Sequence, residues 1–385
     1  MDKKTATILK KKFKEYYYKH VEQIEVPSRI SEREFGYMTF DHIMIRHISF
    51  QNSGDMQARI LKESPNSVYY STSFYEKPSL PMHEKGWKSG DLVFDIDADT
   101  LSSPCRQDHD KWICRICGRQ KLGLKPNKCP SCKGTRIHEV NIACNICLDA
   151  AKNEALKLQD ILIDDFGIQK TKIDIYFSGS MGYHLSIANS DFAEANQAVR
   201  SDIVDYVSGQ AFIPENLGVT RKSSYEHMTD RFPSEKEMGW RGRIARYFKA
   251  QHNGKGAKDA TVILTNLYRK GTYKKFQLAI EDAAKKSGAT VDPSVTTDIH
   301  RILRLPGTLH GKTGLLKKRC RNLESFSPLD DAVAFGQDPM KIQVDNSPKF
   351  SLMGEQFGPF KSEIIELPTM AAIYLLGQGM ATVEE

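Results

Sequence analysis

Two aspartates separated by one residue, Asp95 and Asp97, form the pattern with the clearest chemical meaning. They lie in LVFDIDAD, whose alternation predicts a strand with both carboxylates on the same face as Val93. The Cα atoms of two such residues stand roughly 6.5–7 Å apart, and their carboxylates repel each other unless a cation lies between them. Oxygen ligands of this kind suit Mg²⁺ or Mn²⁺, which can activate a hydroxyl group and stabilise a leaving phosphate. The alternative is a pair of exposed acids on the solvent face of a strand.

The cysteines predict a metal site of a different kind. Seven of the eight lie between Cys105 and Cys147, and they include three CxxC pairs. A CxxC turn places two thiolates on one side of a tight loop, where both can bind a tetrahedral Zn²⁺. The first two pairs have the spacing of a zinc ribbon. The predicted ligands are Cys114, Cys117, Cys129 and Cys132.

The third pair, Cys144 and Cys147, needs two further ligands. Cys105 and His109 lie upstream, so the ribbon can be an excursion between the two halves of a second zinc site. The alternative is a buried thiol and a surface histidine. Both predicted sites have four protein ligands and no open position, which is typical of a structural role. Cys320 is expected to be an inert thiol of the core.

Two glycine-containing turns are candidate phosphate sites. The segment 178–184, SGSMGYH, directly follows a predicted strand, and its glycines would let the backbone approach an anion closely. A simple hairpin turn is the alternative. The segment 304–314, RLPGTLHGKTG, places arginine, histidine and lysine around a turn but lacks the P-loop pattern. The stretch 300–321 contains seven Lys or Arg residues and no acid, which favours a phosphate-facing surface.

Composition excludes several classes of protein. The chain has 385 residues, of which 40% are hydrophobic and 27% charged, with a net charge of +7. These values exclude a disordered chain, a collagen-like chain and a coiled coil. No run of about eighteen apolar residues is present, and the N-terminus lacks an apolar signal segment. We therefore expect no membrane association and a reducing, cytoplasmic location in which disulfides are unfavourable.

The order of the predicted elements indicates an α+β fold with a mixed, largely antiparallel sheet. Beyond about residue 325 the chain is expected to be loop-rich until a short apolar helix near 368–380. The predicted segments are 1–104 and 148–190 for the core, 105–147 for a zinc-binding module with an inserted ribbon at about 112–135, 191–288 for a mainly helical subdomain, and 289–385 for completion of the core and a C-terminal tail.

Taken together, these segments resemble the catalytic small subunit of archaeal and eukaryotic-type DNA primases. The matching stretches occur in the order of that family and extend from about residue 30 to 325. They are REFGY (33–37), MIRHISF (44–50), LVFDIDAD (92–99), YFSGSMGYHLSI (176–187) and VDPSVTTDIHRILRLPGTLHGKTGL (291–315). The last stretch is the most specific.

The resemblance implies a role for individual residues. Asp95, Asp97 and Asp292 match the aspartates that bind the catalytic Mg²⁺ or Mn²⁺; Asp298 is nearer the LHGKTG turn but does not match by distance. The residues that match nucleotide-binding positions are Arg46, Ser178, Gly179, His184, Arg304, His310 and Lys312. The zinc motif of the family fits Cys105, His109, Cys144 and Cys147, which leaves the other four cysteines as an inserted ribbon.

One departure concerns the turn at 178–184. Members of the family usually carry arginine at the two positions that Ser180 and Met181 occupy here. This turn therefore brings less positive charge to a triphosphate. Two alternatives stay open: Arg46 or Arg304 compensates, or the affinity for the nucleotide is weaker.

The implied function is template-directed primer synthesis from nucleoside triphosphates on single-stranded DNA during replication, with a primase large subunit as partner and a nucleoid-associated location. Three alternatives stay open at this point. They are a non-catalytic zinc-ribbon adaptor for nucleic acid, a metal-dependent nuclease that uses the same carboxylates, and an end-joining or translesion primase-polymerase.

Overall fold

The chain divides into two units in the computed structural model, which describes residues 2–188, 190–210, 212–219, 232–252 and 259–384. The first unit comprises Met1–Lys152, Asp174–Glu194 and Asp298–Glu385. The second comprises Asn153–Ile173 and Ala195–Thr297. The segment boundaries that we drew from the sequence stay a prediction.

Helices and strands alternate irregularly along the chain. The helices are α1 (Lys3–His20), α2 (Ser53–Glu63), α3 (Arg106–His109), α4 (Asn145–Asp164), α5 (Gln197–Ser208), α6 (Gly239–Gln251), α7 (Ala260–Lys270), α8 (Tyr273–Ser287), α9 (Pro293–Thr297), α10 (Pro328–Asp331) and α11 (Thr369–Gly377). The strands are β1 (Phe35–Met38), β2 (Met44–Ile48), β3 (Ser67–Ser71), β4 (Ser73–Tyr75), β5 (Trp87–Gly90), β6 (Leu92–Asp97), β7 (Lys111–Cys114), β8 (Gln120–Leu122), β9 (Ile137–Val140), β10 (Ile173–Phe177), β11 (Gly182–Ile187), β12 (Ile302–Arg304), β13 (Lys318–Arg319), β14 (Pro339–Ser347), β15 (Phe350–Leu352), β16 (Glu355–Phe357), β17 (Phe360–Pro368) and β18 (Ala381–Val383).

The N-terminal helix α1 follows from capping and an apolar stripe. The side chain of Asp2 accepts a hydrogen bond of 2.8 Å from the backbone N–H of Thr5, which satisfies a donor that the helix start leaves unpaired. Leu9, Phe13 and Tyr17 recur every fourth residue and are buried. Packing of this stripe, rather than helix propensity alone, therefore holds α1 in the first unit.

Two four-stranded sheets form the centre of the first unit. One has the order β12-β3-β1-β2 and the other the order β13-β10-β11-β6. The pairings of β1 with β2 and β3, of β3 with β12, and of β11 with β6 are antiparallel. The mixed helix and antiparallel-sheet class that the sequence predicted is confirmed.

The register of β6 against β11 determines which residues meet at the β6 edge of the second sheet. Asp95 lies opposite His184, and Asp97 lies opposite Gly182. A Cβ atom at Gly182 would lie 1.8 Å from the carbonyl oxygen of Ile96 and 2.8 Å from Oδ1 of Asp97. Glycine is therefore required at this position, because any side chain would push the two strands apart.

The chain beyond residue 325 differs from our expectation of a loop-rich region. Strands β14 and β17 pair antiparallel over most of their length, and β18 pairs with the other edge of β14. Only Ile342 and Val344 of β14 are buried apolar residues, so the apolar alternation that marks a strand is short. The cross-strand backbone hydrogen bonds, which sequence patterns do not reveal, make this sheet.

Helix α11 occupies the end of the chain at which the apolar run predicted a helix. Every residue from Thr369 to Leu376 is buried, and the helix contacts β14, β17 and β18. Across the ranges of the chain that the structure describes, no helix is both long enough and apolar enough to cross a bilayer.

The second unit is mainly helical and has a core of its own. Aromatic and aliphatic side chains of α6, α7 and α8 form one buried cluster, including Trp240, Ile244, Leu264, Phe276 and Ile280. Helix α9 begins after Asp292, whose carboxylate accepts a hydrogen bond of 2.8 Å from the backbone N–H of Ser294. This interaction is a typical helix N-terminal cap.

Replacement of Gly182 by alanine is expected to destabilise the first unit, since the new Cβ would overlap the backbone of β6. We expect the melting temperature to fall by roughly 5 °C, on the usual cost of overpacking in a chain of this size. The control is Gly336→Ala, where no atom lies within 4 Å of the added Cβ. Equal melting temperatures for both variants would contradict this register.

Candidate active site

Asp95 and His184 form the pair at the centre of the candidate site. They face each other on β6 and β11, with 3.2 Å between Nε2 of His184 and Oδ1 of Asp95. Both side chains are largely buried, at 9% exposure for Asp95 and 7% for His184. The strand alternation predicted from LVFDIDAD therefore places Asp95 against a histidine in an enclosed position, and not on an open solvent face.

The surrounding charges stabilise the ionised form of this carboxylate. Burial acts to raise the pKa of Asp95, but the neighbouring His184, Arg301 and Lys317 outweigh it and the pKa is lowered. Burial lowers the pKa of His184 more than Asp95 raises it.

The carboxylates fit a divalent cation. Oδ1 of Asp95 is buried and has no hydrogen bond of good geometry among the described residues. A buried carboxylate oxygen without a hydrogen bond is costly unless a cation or a donor reaches it. Asp97 lies at the more exposed end of the same strand. Two oxygen-donor side chains of this kind could hold Mg²⁺ or Mn²⁺.

The turn between β10 and β11 is organised by Ser178. Its hydroxyl oxygen accepts hydrogen bonds of 3.3 Å from the backbone N–H groups of Ser180 and Gly182. Gly179 has a φ of +87°, a left-handed conformation that favours glycine. A Cβ there would lie 3.0 Å from Cβ of His310, so the turn is packed tightly against the basic turn.

The basic turn at 304–314 is held in place by its own hydrogen bonds. The backbone N–H of His310 donates to the carbonyl of Leu315 at 2.7 Å, and the hydroxyl of Thr313 donates to the carbonyl of Gly179 at 2.6 Å. The backbone N–H of Lys312 donates to Nδ1 of His310 at 3.3 Å. Burial, with Arg304 and Lys312 nearby, lowers the pKa of His310 well below its usual value. His310 is therefore neutral in this site before an anion binds.

Two adjoining cavities lie beside these turns. The larger, of about 600 Å³, is lined by Ser180, Met181, His310 and Lys312 among other residues. The smaller, of about 290 Å³, is lined by Arg46, His184 and Asp298 among others. Arg304 and Tyr69 line both. Five of the seven predicted nucleotide-binding residues thus line one or both cavities, and Ser178 and Gly179 lie in the turn beside them.

Arg304 connects the two turns. Its Nη1 donates to the carbonyl oxygen of Ser178 at 2.9 Å, and its guanidinium lies 5.5 Å from the ring centre of Tyr69. Nε of Arg304 is buried without a hydrogen-bond partner among the described residues. This donor could serve an anion in the adjoining cavities.

Arg46 is oriented by a buried carboxylate. Its Nε and Nη2 donate to the two oxygens of Glu34 at 2.9 and 3.0 Å, which is a bidentate arrangement. Lys85 approaches the same carboxylate at 3.2 Å. Sequence reasoning singled out Arg46 but not Glu34, although both lie in the stretches that carry the resemblance.

Lys317 is a residue of the site that sequence reasoning left without a role. It is 1% exposed and lies 5.1 Å from the ring centre of Tyr176. Burial lowers its pKa to about 7, and Asp95 acts in the opposite direction. A lysine in a basic stretch is usually solvated, so only the packing reveals this one as buried near Asp95.

The two candidate third aspartates lie in different settings. Asp292 belongs to the second unit, where it caps α9. Asp298 belongs to the first unit, where it lines the smaller cavity, and its carboxylate accepts from the backbone N–H of His300 at 2.8 Å. The assignment of Asp292 as a metal ligand stays a prediction.

The ribbon cysteines converge as their spacing predicted. Sγ of Cys114 lies 3.5 Å from that of Cys132, and Sγ of Cys117 lies 3.7 Å from that of Cys129. The four sulfur atoms lie within 4.8 Å of one another. Tetrahedral Zn²⁺ with bonds of about 2.3 Å requires sulfur atoms about 3.8 Å apart. The cluster therefore could hold zinc.

The second cluster also forms, with His109 as its nitrogen donor. Nε2 of His109 lies 3.3 Å from Sγ of Cys147, and Sγ of Cys105 lies 3.3 Å from the same sulfur. Cys144 completes the group of four. Nδ1 of His109 lies 2.9 Å from the buried carboxylate of Asp110, a contact that orients a ligating imidazole. The sequence did not point to Asp110.

Comparison with known proteins gives one consistent family. Residues 133–321 match the profile described as DNA primase small subunit. The chain is 36% identical to the DNA primase small subunit PriS of Nitrosopumilus maritimus over 383 residues, covering all of both chains. It is 32% identical to that of Archaeoglobus fulgidus over 386 residues, covering 98% of each.

One solved structure is similar to this chain: the polymerase domain from Mycobacterium tuberculosis ligase D in complex with DNA. The matched region covers 82% of this chain and 81% of that structure's chain. Its TM-score is 0.34 at 12% identity.

Metal analysis of the purified protein is expected to find up to two zinc equivalents, one for each cluster. Cys117→Ser and Cys147→Ser should each lower the content by about one equivalent, because each removes one of four ligands. Cys320→Ser is the control, since Cys320 belongs to neither cluster. A protein that contains no zinc would contradict both sites.

Proposed function

This chain belongs to the family of DNA primase small subunits, and from that premise we propose that it synthesises short primers on single-stranded DNA by metal-dependent nucleotidyl transfer. Membership makes the chain a DNA-directed nucleotidyltransferase of DNA replication, and the name of the family implies a second subunit. The nuclease and the non-catalytic adaptor are therefore set aside.

The observation that supports this chemistry best is the buried pair of Asp95 and His184 next to the cationic turn of His310 and Lys312. An ionised carboxylate at 9% exposure suits a divalent cation, and the neighbouring turn suits a polyphosphate. A nucleotidyl transfer needs both, because negative charge must be stabilised at the attacked phosphate and at the leaving pyrophosphate.

The basic residues would bind and orient the nucleoside triphosphate. Lys312 is a point charge for the terminal phosphates, while Arg304 can donate two parallel hydrogen bonds. His310 is neutral before binding and would donate one hydrogen bond to a phosphate oxygen. Because these side chains are held by packed turns, they would be preorganised for the charge that develops on the leaving group.

The bond changes follow from this placement. The oxygen of the primer 3′-hydroxyl would attack the α-phosphorus of the bound nucleotide, its proton would pass to solvent water, and the bond from the α-phosphorus to the bridging oxygen would break to release pyrophosphate. Asp95 and Asp97, with Asp292 as the third ligand that the resemblance implies, would hold Mg²⁺ or Mn²⁺, which would lower the pKa of the hydroxyl and neutralise charge on the triphosphate. His184 would maintain the position of Asp95 by its contact across the sheet.

The proposed partners of the chain are single-stranded DNA as the template and a primase large subunit. Single-stranded DNA would bind the basic surface of the chain, so its affinity should fall with salt concentration. A primase large subunit would assist the start of synthesis, when no primer is present. The two cysteine clusters would take structural Zn²⁺.

An end-joining or translesion primase-polymerase is the remaining alternative within the same superfamily. Primer synthesis on a bare single-stranded template, with and without a large subunit, separates the two functions. De novo synthesis that depends on the large subunit supports the replicative role, whereas extension of annealed ends alone supports the alternative.

Asp95→Ala and Asp97→Ala are each expected to reduce primer synthesis by at least about a thousandfold, because each removes a ligand of the catalytic cation. Template affinity should be unchanged, as measured by fluorescence anisotropy of labelled single-stranded DNA. Asp174→Ala is a matched control, since Asp174 lies on a strand of the same sheet but pairs with Arg319 at 2.7 Å. An active double variant of Asp95 and Asp97 would refute the metal assignment.

Alanine variants of Asp292 and Asp298 test the third carboxylate. We expect Asp292→Ala to abolish nucleotide incorporation with a folded chain and intact template binding. Asp298→Ala should retain substantial activity, because its carboxylate caps a turn through the N–H of His300. Loss of activity at Asp298 alone would assign the third ligand to the first unit instead.

A further inference from the structure

The larger cavity has a wall that the nucleotide-binding assignments above do not explain. Besides the turn of His310 and Lys312, it is lined by Lys111, Ile113 and Arg115 of the segment around β7 and by His138 of β9. Lys111, Ile113 and His138 belong to the antiparallel sheet β8-β7-β9, and Arg115 directly follows β7 between the ribbon ligands Cys114 and Cys117. The ribbon therefore borders the same space as the basic turn.

This ribbon is strongly and uniformly basic. Between Asp110 and Glu139 it contains eight Lys or Arg residues and no acid: Lys111, Arg115, Arg119, Lys121, Lys125, Lys128, Lys133 and Arg136. Zn²⁺ held by four thiolates would contribute a formal charge of about −2, so the ribbon would stay positive. A wall of this charge attracts an anion into the cavity.

The acids that line the cavity do not neutralise Arg115. The carboxylate of Asp99 accepts from Asn141 at 3.2 Å, and that of Glu139 pairs with Arg106 at 3.1 Å. The side chain of Arg115 is exposed and forms no ion pair among the described residues. Its backbone, by contrast, is fixed by a hydrogen bond of 2.8 Å from its N–H to the carbonyl of Arg136.

The two walls are close enough to affect each other electrostatically. Burial lowers the pKa of His138, and the positive charges of Arg115 and Lys312 lower it further. The pKa of His138 is thus lowered by cations of the ribbon and by one cation of the basic turn. Ser180 and Met181, which line the cavity from the glycine turn, are uncharged. The added positive charge in this space comes from the ribbon.

We infer that Arg115 of the ribbon binds the phosphates of the nucleoside triphosphate together with His310 and Lys312, with which it lines one cavity. This inference rests on the proposed function. An exposed, always-charged guanidinium on a fixed backbone can form two parallel hydrogen bonds to phosphate oxygens. The ribbon is then a part of the nucleotide site as well as a metal-stabilised fold.

The test measures binding of a non-hydrolysable ATP analogue and of AMP to the full chain with Mg²⁺ by calorimetry, and of labelled single-stranded DNA by anisotropy. Arg115→Ala should weaken the analogue about 10-fold, the size of one lost charged hydrogen bond, and leave AMP and DNA unchanged. Arg115→Lys should bind the analogue with an affinity between that of the unmodified chain and that of Arg115→Ala. Lys121→Ala is the control, because Lys121 lies on the same sheet but does not line the cavity. Zinc content verifies that each variant retains the ribbon.

The outcomes separate this inference from the proposed function. Lys312→Ala is the reference variant. If this variant binds the analogue as tightly as the unmodified chain does, the proposed assignment of the triphosphate site is wrong. If Lys312→Ala weakens binding and Arg115→Ala does not, only the role of Arg115 is wrong. Weaker DNA binding by Arg115→Ala with unchanged binding of the analogue would make the ribbon a template surface and overturn the inference. An equal loss of affinity for the analogue in Lys121→Ala would show that the effect comes from net charge and not from a contact in the cavity. This result would also overturn the inference.

Discussion

The charge of the buried Asp95 carboxylate is the constraint on which the candidate site of the first unit depends. Burial opposes the charge, and His184, Arg301 and Lys317 offset that cost. Their arrangement requires β6 and β11 to pair in one register, which Gly182 permits by allowing the backbone of β6 to pass within van der Waals distance. A shift of one residue would turn Asp95 to the other face of the sheet.

The two turns beside this pair act as one packed element. Gly179 lies against His310, and the hydroxyl of Thr313 donates to the carbonyl of Gly179 at 2.6 Å. Arg304 adds a third connection through the carbonyl of Ser178. The backbone that carries these cationic side chains is therefore fixed before a polyphosphate would bind. Rigid placement of this kind is what electrostatic stabilisation of a leaving group requires.

Much of the site could be predicted from local spacing. The CxxC pairs predicted which cysteines converge, because a tight turn fixes the separation of two thiolates whatever the fold. The alternation around Asp95 predicted a strand for a similar local reason. Lys317 could not be assigned, since burial of a lysine depends on distant partners such as Tyr176. The sheet of β14 and β17 was missed because its strands bury few apolar residues and depend on pairing with each other.

The sequence by itself determined which reactive groups the chain carries. These are two carboxylates on one strand face, two sets of side chains that could hold zinc, two glycine turns and a basic ribbon. Each of them depends on spacings of a few residues. The tertiary structure decided which of these meet. It placed His184 against Asp95, Glu34 against Arg46, and the ribbon beside the basic turn. The physical reason is that strand register, burial and the field of neighbouring charges arise between segments far apart in the chain, and no local pattern encodes them.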